Sequence, residues 1–263
     1  MPSPRSSSPR ADHPQPHSPR ARAREPLERV LQALGTQVRT GGFPPADSTR
    51  HSTGLGAVDQ LLGGGFPQGQ ISEISGPLGG GHSSLALALL ARTTALGAWA
   101  ALVDPLDAFD PPSADAAGVD LARVLWARPP GLLEALRCAE SVLLAEGFPL
   151  VLLDLVELGE PRTLSSGRSS LRIPAATWPR LRKAAAGTGS ALVVLARRRL
   201  TGAFADLAVE LAAGHPRFQG APGFRPGSDW LAGREARLRL ARNRRGPDGQ
   251  DLSVAWPSPI SAA

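Results

Sequence analysis

Nine consecutive residues have types and spacing that can do chemistry: Gly76-Pro77-Leu78-Gly79-Gly80-Gly81-His82-Ser83-Ser84. They lie between a segment that reads as a strand, Gln70–Ser75, and an Ala/Leu-rich segment that reads as a helix, Ser83–Leu96. The spacing is that of the phosphate-binding loop G-x-x-x-x-G-K-[ST] in its strand–loop–helix setting. Glycines let the backbone curl so that its N–H groups converge on phosphate, and the helix N-terminus adds positive potential. Ser83 is placed to reach a magnesium ion. Asp154 ends the apolar run Leu150–Leu155 and is the natural second carboxylate for that ion. The expected nucleotide site is therefore Gly76, Gly79, Gly80, Gly81, His82, Ser83, Ser84 and Asp154, with Ser83 and Asp154 holding magnesium only if a Mg-nucleotide binds.

His82 stands where this loop carries lysine. A histidine is shorter and, near its ordinary pKa of about 6.5, mostly neutral at pH 7. Lys183 is the chain's one lysine, so no neighbouring lysine can take over. The residues thus predict a phosphate loop with impaired catalysis.

A second group is defined by charge. From Pro161 to Ala205 there are nine basic residues and no acid: Arg162, Arg168, Arg172, Arg180, Arg182, Lys183, Arg197, Arg198 and Arg199. Such a run suits salt-sensitive contact with nucleic-acid phosphates. A solvated face or an acidic protein partner would read the same way. Trp178 can stack on a base, although the stripe Trp178, Leu181, Ala185 is also what a helix buries.

The elements that must hold these groups alternate. Strands are expected at Ala98–Asp104, Val124–Trp126, Leu150–Leu155 and Ser190–Ala196, with helices at Pro130–Glu146 and Ala175–Ala186. Three later strands, Leu207–Ala212, Ala236–Ala241 and Leu252–Trp256, read as antiparallel, with Gly214–Gly233 as a mobile Gly/Pro-rich loop. The predicted fold class is α/β: a mostly parallel sheet flanked by helices, with a C-terminal antiparallel extension. Residues 1–25, rich in Pro, Ser and Arg, read as a disordered basic tail. Residues 26–48 read as a short helix and hinge, with Leu27, Val30, Leu31 and Leu34 forming a partner-docking face. Residues 49–256 form the core, and 257–263 a short tail.

Composition sets the outer limits. The chain has 263 residues, a net charge of +6, one cysteine and no tyrosine. One cysteine, Cys138, excludes an intramolecular disulfide. No apolar run reaches membrane-span length and no secretory signal is present, which predicts a soluble protein of a reducing, cytoplasmic compartment.

The stretch STGLGAVDQLLGGGFPQGQISEISGPLGGGHSSLALALLA (Ser52–Ala91) resembles the RecA core. So do Leu102–Pro129, the strand LVLLDLVEL (Leu150–Leu158), ALVVLARRR (Ala191–Arg199) and the closing segment Glu235–Trp256. The resemblance runs from about Leu27 to Trp256, and RecA's C-terminal domain is expected to be absent. It implies a RecA-like phosphate-loop core whose basic segment holds both DNA-facing loops. It also sharpens the departures. Leu106 sits at the family's catalytic glutamate and Arg197 about where its nucleotide-sensing glutamine belongs, and the second DNA-facing loop is shortened. Asp104 or Asp107 is the substitute base to consider.

Among degenerate RecA-like proteins the chain is most similar to the ImuA family of SOS translesion-synthesis cassettes. That resemblance implies a non-catalytic accessory role in error-prone DNA repair. Its partners would be single-stranded DNA, an ImuB-like Y-family polymerase homologue, and RecA or its filament. No cofactor would be required, with ATP and magnesium at most a static ligand. The helix at Leu27–Val38 and the segment His51–Thr53 would dock on a partner. The rivals are a DNA-stimulated ATPase with weak residual turnover and a SulA-type cell-division inhibitor.

Overall fold

A computed structural model describes residues 50–159, 173–219 and 230–257. The expected tail, the N-terminal helix with Leu27, Val30, Leu31 and Leu34, and Arg162, Arg168 and Arg172 lie outside these residues.

The chain adopts the expected α/β architecture. An eight-stranded sheet has the order β10-β9-β8-β3-β7-β6-β4-β5. Its strands are β3 (Ile71–Ser75), β4 (Ala100–Val103), β5 (Val124–Ala127), β6 (Leu150–Asp154), β7 (Ala191–Ala196), β8 (Ala205–Gln219), β9 (Trp230–Asn243) and β10 (Asp251–Pro257). The six strands from β8 to β5 are mutually parallel, and β9 and β10 add antiparallel. A separate clasp pairs β1 (Arg50–His51) with β2 (Phe66–Pro67).

Among the described residues five helices accompany the sheet: α1 (Gly56–Leu62), α2 (His82–Ala95), α3 (Pro111–Ala116), α4 (Leu132–Leu144) and α5 (Thr177–Thr188). Alternation along the central strands sorts the core into two layers. Ile74, Leu102, Leu152 and Val193 face α1 and α2, whereas Ile71, Val103, Val151 and Val194 face α4 and α5. Trp178 and Leu181 belong to the second layer, and Trp178 is buried. It is core rather than a stacking platform.

The segment His51–Thr53 is also internal. Asp59 accepts hydrogen bonds from Ser52 Oγ, Thr53 N and Thr53 Oγ1. The buried His51 Nε2–H donates to Thr93 Oγ1 at 2.8 Å, and Thr93 passes its own proton to the Leu89 carbonyl. A partner cannot reach these groups, which corrects the docking expectation. Burial holds the His51 pKa down at about 4.

The largest departure from expectation is the length of β8 and β9. Much of the expected Gly/Pro-rich loop is strand: β8 runs through Gly214 and Pro216 to Gln219, and β9 starts at Trp230. Register shifts at Ala212/His215 and Arg217/Phe218 absorb the irregular residues. Ser75, the last residue of β3, pairs with Glu210. The nine further residues of β8 therefore rise roughly 30 Å beyond the carboxyl edge of the sheet, beside the loop that follows β3.

Candidate nucleotide and nucleic-acid interface

Residues Gly76–Gly81 join β3 to α2 at the carboxyl edge, where open α/β sheets bind ligands. The expected strand–loop–helix setting is present. Ser83 is exposed and Ser84 half-exposed in the first turn of α2. The first helical residue, His82, does something other than face phosphate. Its ring is 5% exposed, and Nε2–H donates to the Ala196 carbonyl at the end of β7, 3.0 Å away. Gly76 N donates to the same oxygen. Burial lowers the His82 pKa, so the ring stays neutral. Histidine has replaced a mobile cation with a neutral bolt between loop and sheet.

The acids next to the loop are likewise engaged. Asp154 is largely buried, and its Oδ1 accepts from Val156 N at 2.9 Å. Desolvation, then the nearby Asp104 and Glu157 charges, push its pKa up to about 6 despite that bond. Magnesium coordination would require it ionised. Asp104, offered as a substitute base, is buried and accepts from Phe109 N at 2.9 Å, Trp126 Nε1 at 3.2 Å and Leu106 N at 3.3 Å. It anchors the turn after β4 through these three bonds. Asp107, the other candidate, is paired with Arg128 at 3.3 Å. Leu106, which the resemblance sets at the position of the family's catalytic glutamate, is 44% exposed.

The loop glycines also serve packing. A Cβ on Gly76 would lie 2.4 Å from the Leu211 carbonyl oxygen of β8. One on Gly81 would lie 3.3 Å from Trp256 Nε1 of β10 and 3.6 Å from Ala236 Cβ of β9. One on Gly79 would meet Arg234 Nη2 at 3.1 Å. The three C-terminal strands thus form one wall of the loop, which the sequence pattern did not reveal.

As a test of whether a Mg-nucleotide fits, the donor set divides. Converging glycines, the α2 N-terminus, exposed Ser83 and the adjacent Arg234 fit a phosphoryl group. His82, Leu106 and Asp104 do not fit hydrolysis. Among the described residues no cluster of three or more metal-ligating side chains occurs, and no helix is long and apolar enough to cross a membrane.

The basic residues do not form one patch. Arg180 is held bidentately by Glu140, with Nε 3.0 Å from Oε1. Arg182 reaches Asp206 at 4.0 Å, alongside Arg245 at 3.3 Å and Arg244 at 3.7 Å. Arg180 and Arg182, both expected to contact DNA, remain partly exposed within these ion pairs. Lys183, Arg198 and Arg199 are exposed, and Arg197 is half-buried. Because Ser75 pairs with Ala196, the arginine triplet begins directly beside Gly76.

The path of that segment depends on a residue the sequence reading passed over. Glu73, fully buried in β3, accepts from Leu200 N, Thr201 N and Thr201 Oγ1. This carboxylate clips the β7–β8 connection against the sheet. A lone acid in the strand ISEIS was the available signal.

The RecA N-terminal domain family matches residues 31–172. Protein RecA of Chlorobaculum parvum is 35% identical over 153 residues, covering 58% of this chain and 41% of that protein. RecA of Picosynechococcus is 33% identical over 133 residues, covering 51% and 38%. The DNA repair protein recA homolog 1 of Arabidopsis chloroplasts is 33% identical over 138 residues, covering 52% and 31%. The chain spans about a third to two-fifths of the length of these relatives. The crystal structure of the RadB recombinase superposes with a TM-score of 0.54 at 22% identity, covering 77% of this chain and 94% of that one, which shows a common fold.

Proposed function

This chain belongs to the RecA N-terminal domain family, and from that premise we propose that it is a non-catalytic accessory protein of DNA repair. It binds single-stranded DNA and partner proteins without cycling ATP. The observation that carries this reading is His82: the residue at the lysine position is buried and bonded to the Ala196 carbonyl. Leu106 and the engaged Asp104 and Asp107 support it, because the first has no carboxylate and the other two are bonded within the protein.

The exposed Lys183, Arg198 and Arg199 are the described residues best suited to the DNA backbone, with the contribution of Arg162, Arg168 and Arg172 added from the same basic run. The finer reading is an ImuA-type member of an SOS translesion-synthesis cassette, cytoplasmic and nucleoid-associated. Its partners are an ImuB-like polymerase homologue and RecA or its filament, contacted through Leu27, Val30, Leu31 and Leu34. Nucleotide is not required for DNA binding, and ATP with magnesium is at most a static ligand. One observation keeps a weak ATPase as the second reading: Ser83 is exposed beside the carboxyl edge where Asp154 lies.

Fluorescence anisotropy of a labelled single-stranded oligonucleotide, over a salt series with and without Mg-ATP, tests the reading. Salt-sensitive binding of equal strength in both conditions is expected. Binding that needs Mg-ATP, or phosphate release abolished by Asp154→Ala, would instead support the ATPase.

A further inference from the structure

The wall that β9 and β10 build beside the phosphate loop carries two donors that lack partners. Arg234 is half-buried, and among the described residues no carboxylate or carbonyl accepts from it. Its Nη2 lies 3.1 Å from the position a Gly79 Cβ would take. Trp256 is 7% exposed, and its Nε1–H is buried with no acceptor. That nitrogen lies 3.3 Å from the corresponding position on Gly81. The two residues are register partners across the β9–β10 ladder, so both side chains project from the same face. They meet the loop at its third-last and last positions before α2.

Two unpaired donors on adjacent strands, both pressed on one loop, are a costly arrangement in a folded chain. A half-buried guanidinium without a counter-charge loses hydration and gains nothing in return. The cost is offset if an anion enters the loop. The loop leads into the α2 N-terminus, and a buried histidine stands at position 82 in place of a cation.

We infer that Arg234 supplies from β9 the cation the loop lacks at His82, and that Trp256 supplies a second donor, so that the loop holds a phosphoryl group. The ligand class is a di- or triphosphate, either a nucleotide or inorganic pyrophosphate. This rests on the static-ligand reading of the loop and is independent of the DNA-binding reading. Arg234 is a binding residue here. It approaches the loop from the side opposite β7, where the missing lysine's place is filled by the histidine bolt. Guanidinium suits the task because its planar fork matches phosphate oxygens.

The test is calorimetric titration of the full chain with Mg-ADP and, separately, with Mg-pyrophosphate. Variants are Arg234→Gln, Arg234→Lys and Trp256→Phe, with thermal melts to verify folding. Wild-type protein is expected to bind, and Arg234→Gln to weaken binding about 10- to 100-fold. Arg234→Lys should recover part of that loss, and Trp256→Phe should cost about 3- to 10-fold. Comparable loss with both ligands would identify the phosphoryl group, and loss with ADP alone would overturn that ligand class. If wild type binds and Arg234→Gln binds equally well, the Arg234 assignment is overturned while the static-ligand reading stands. No binding by folded wild type overturns both, and leaves the oligonucleotide result untouched.

Discussion

The phosphate loop has two walls of opposite character. On the β7–β6–β4 side four polar side chains near the loop are bonded within the protein. His82 is bonded to Ala196, Asp104 to the turn after β4, Asp154 to Val156, and Asp107 to Arg128. On the β9–β10 side Arg234 and Trp256 lie against the loop, and among the described residues neither side-chain donor has an acceptor. The comparison teaches that this chain has separated two tasks an active phosphate loop combines. Under the non-catalytic reading, hydrolysis would need the first wall, whose polar side chains make structural bonds. Phosphoryl recognition needs only positive potential and donors, and these persist on the second.

The largest expected effect lies behind the engaged wall. Glu73→Ala leaves Leu200 N, Thr201 N and Thr201 Oγ1 buried without an acceptor. It should destabilise the protein by about 3 kcal/mol or more in urea unfolding, with Glu73→Gln recovering part of this. A loss under 1 kcal/mol would mean the β7–β8 connection is held by something else.

Asp154 gives the next effect, with a defined sign. Its folded-state pKa of about 6 lies above the ordinary 3.8. The carboxyl's favourable contribution is thus complete below pH 3.8 and is lost as pH rises through 6. Asp154→Asn is expected to stabilise by up to about 3 kcal/mol at pH 8 and to lose that advantage near pH 4. A pH-independent difference would remove the buried-carboxyl explanation.

A smaller effect is expected at the arginines beside the loop. Arg198→Gln with Arg199→Gln should weaken single-stranded DNA binding about tenfold and flatten the salt slope by roughly 1.4, two phosphate contacts at about 0.7 each. Unchanged affinity would move DNA binding away from this edge. The smallest effect is a null one. His82→Lys alone should leave phosphate release at background, because Leu106 still offers no carboxylate. Turnover restored by that single change would break the contrast between the two walls.

The central fold was legible because its signals are local. Leu150–Asp154 and Ala191–Ala196 are unbroken apolar runs, as strands buried on both faces must be. The phosphate loop was legible because Gly spacing and the strand–helix setting coincide. The second wall was not. Arg234 and Trp256 lie about 150 and 175 residues downstream of the loop and meet it only through ladder register. Gly214 and Pro216 disguised the length of β8, because irregular residues inside a bulged strand look like a loop in a linear reading. The pairing of Arg180 with Glu140 was equally invisible, since it joins two helices 40 residues apart. Charge counting sees a basic run, whereas the acids that neutralise it come from other elements.

The Glu73 clip has a consequence for how information passes through the molecule. In a switch, the segment between β7 and β8 must move relative to the strand that leads into the phosphate loop, so that occupancy at one end is reported at the other. Here a single buried carboxylate fastens that segment to that strand. The two ends are one beam, without a hinge between them. An event at Arg198 or Arg199 reaches Gly76 only as strain in a rigid body, and a bound phosphoryl group leaves the arginines where they already stand. Phosphoryl binding at the loop and DNA binding at the arginines are therefore expected to be additive, each leaving the affinity for the other unchanged.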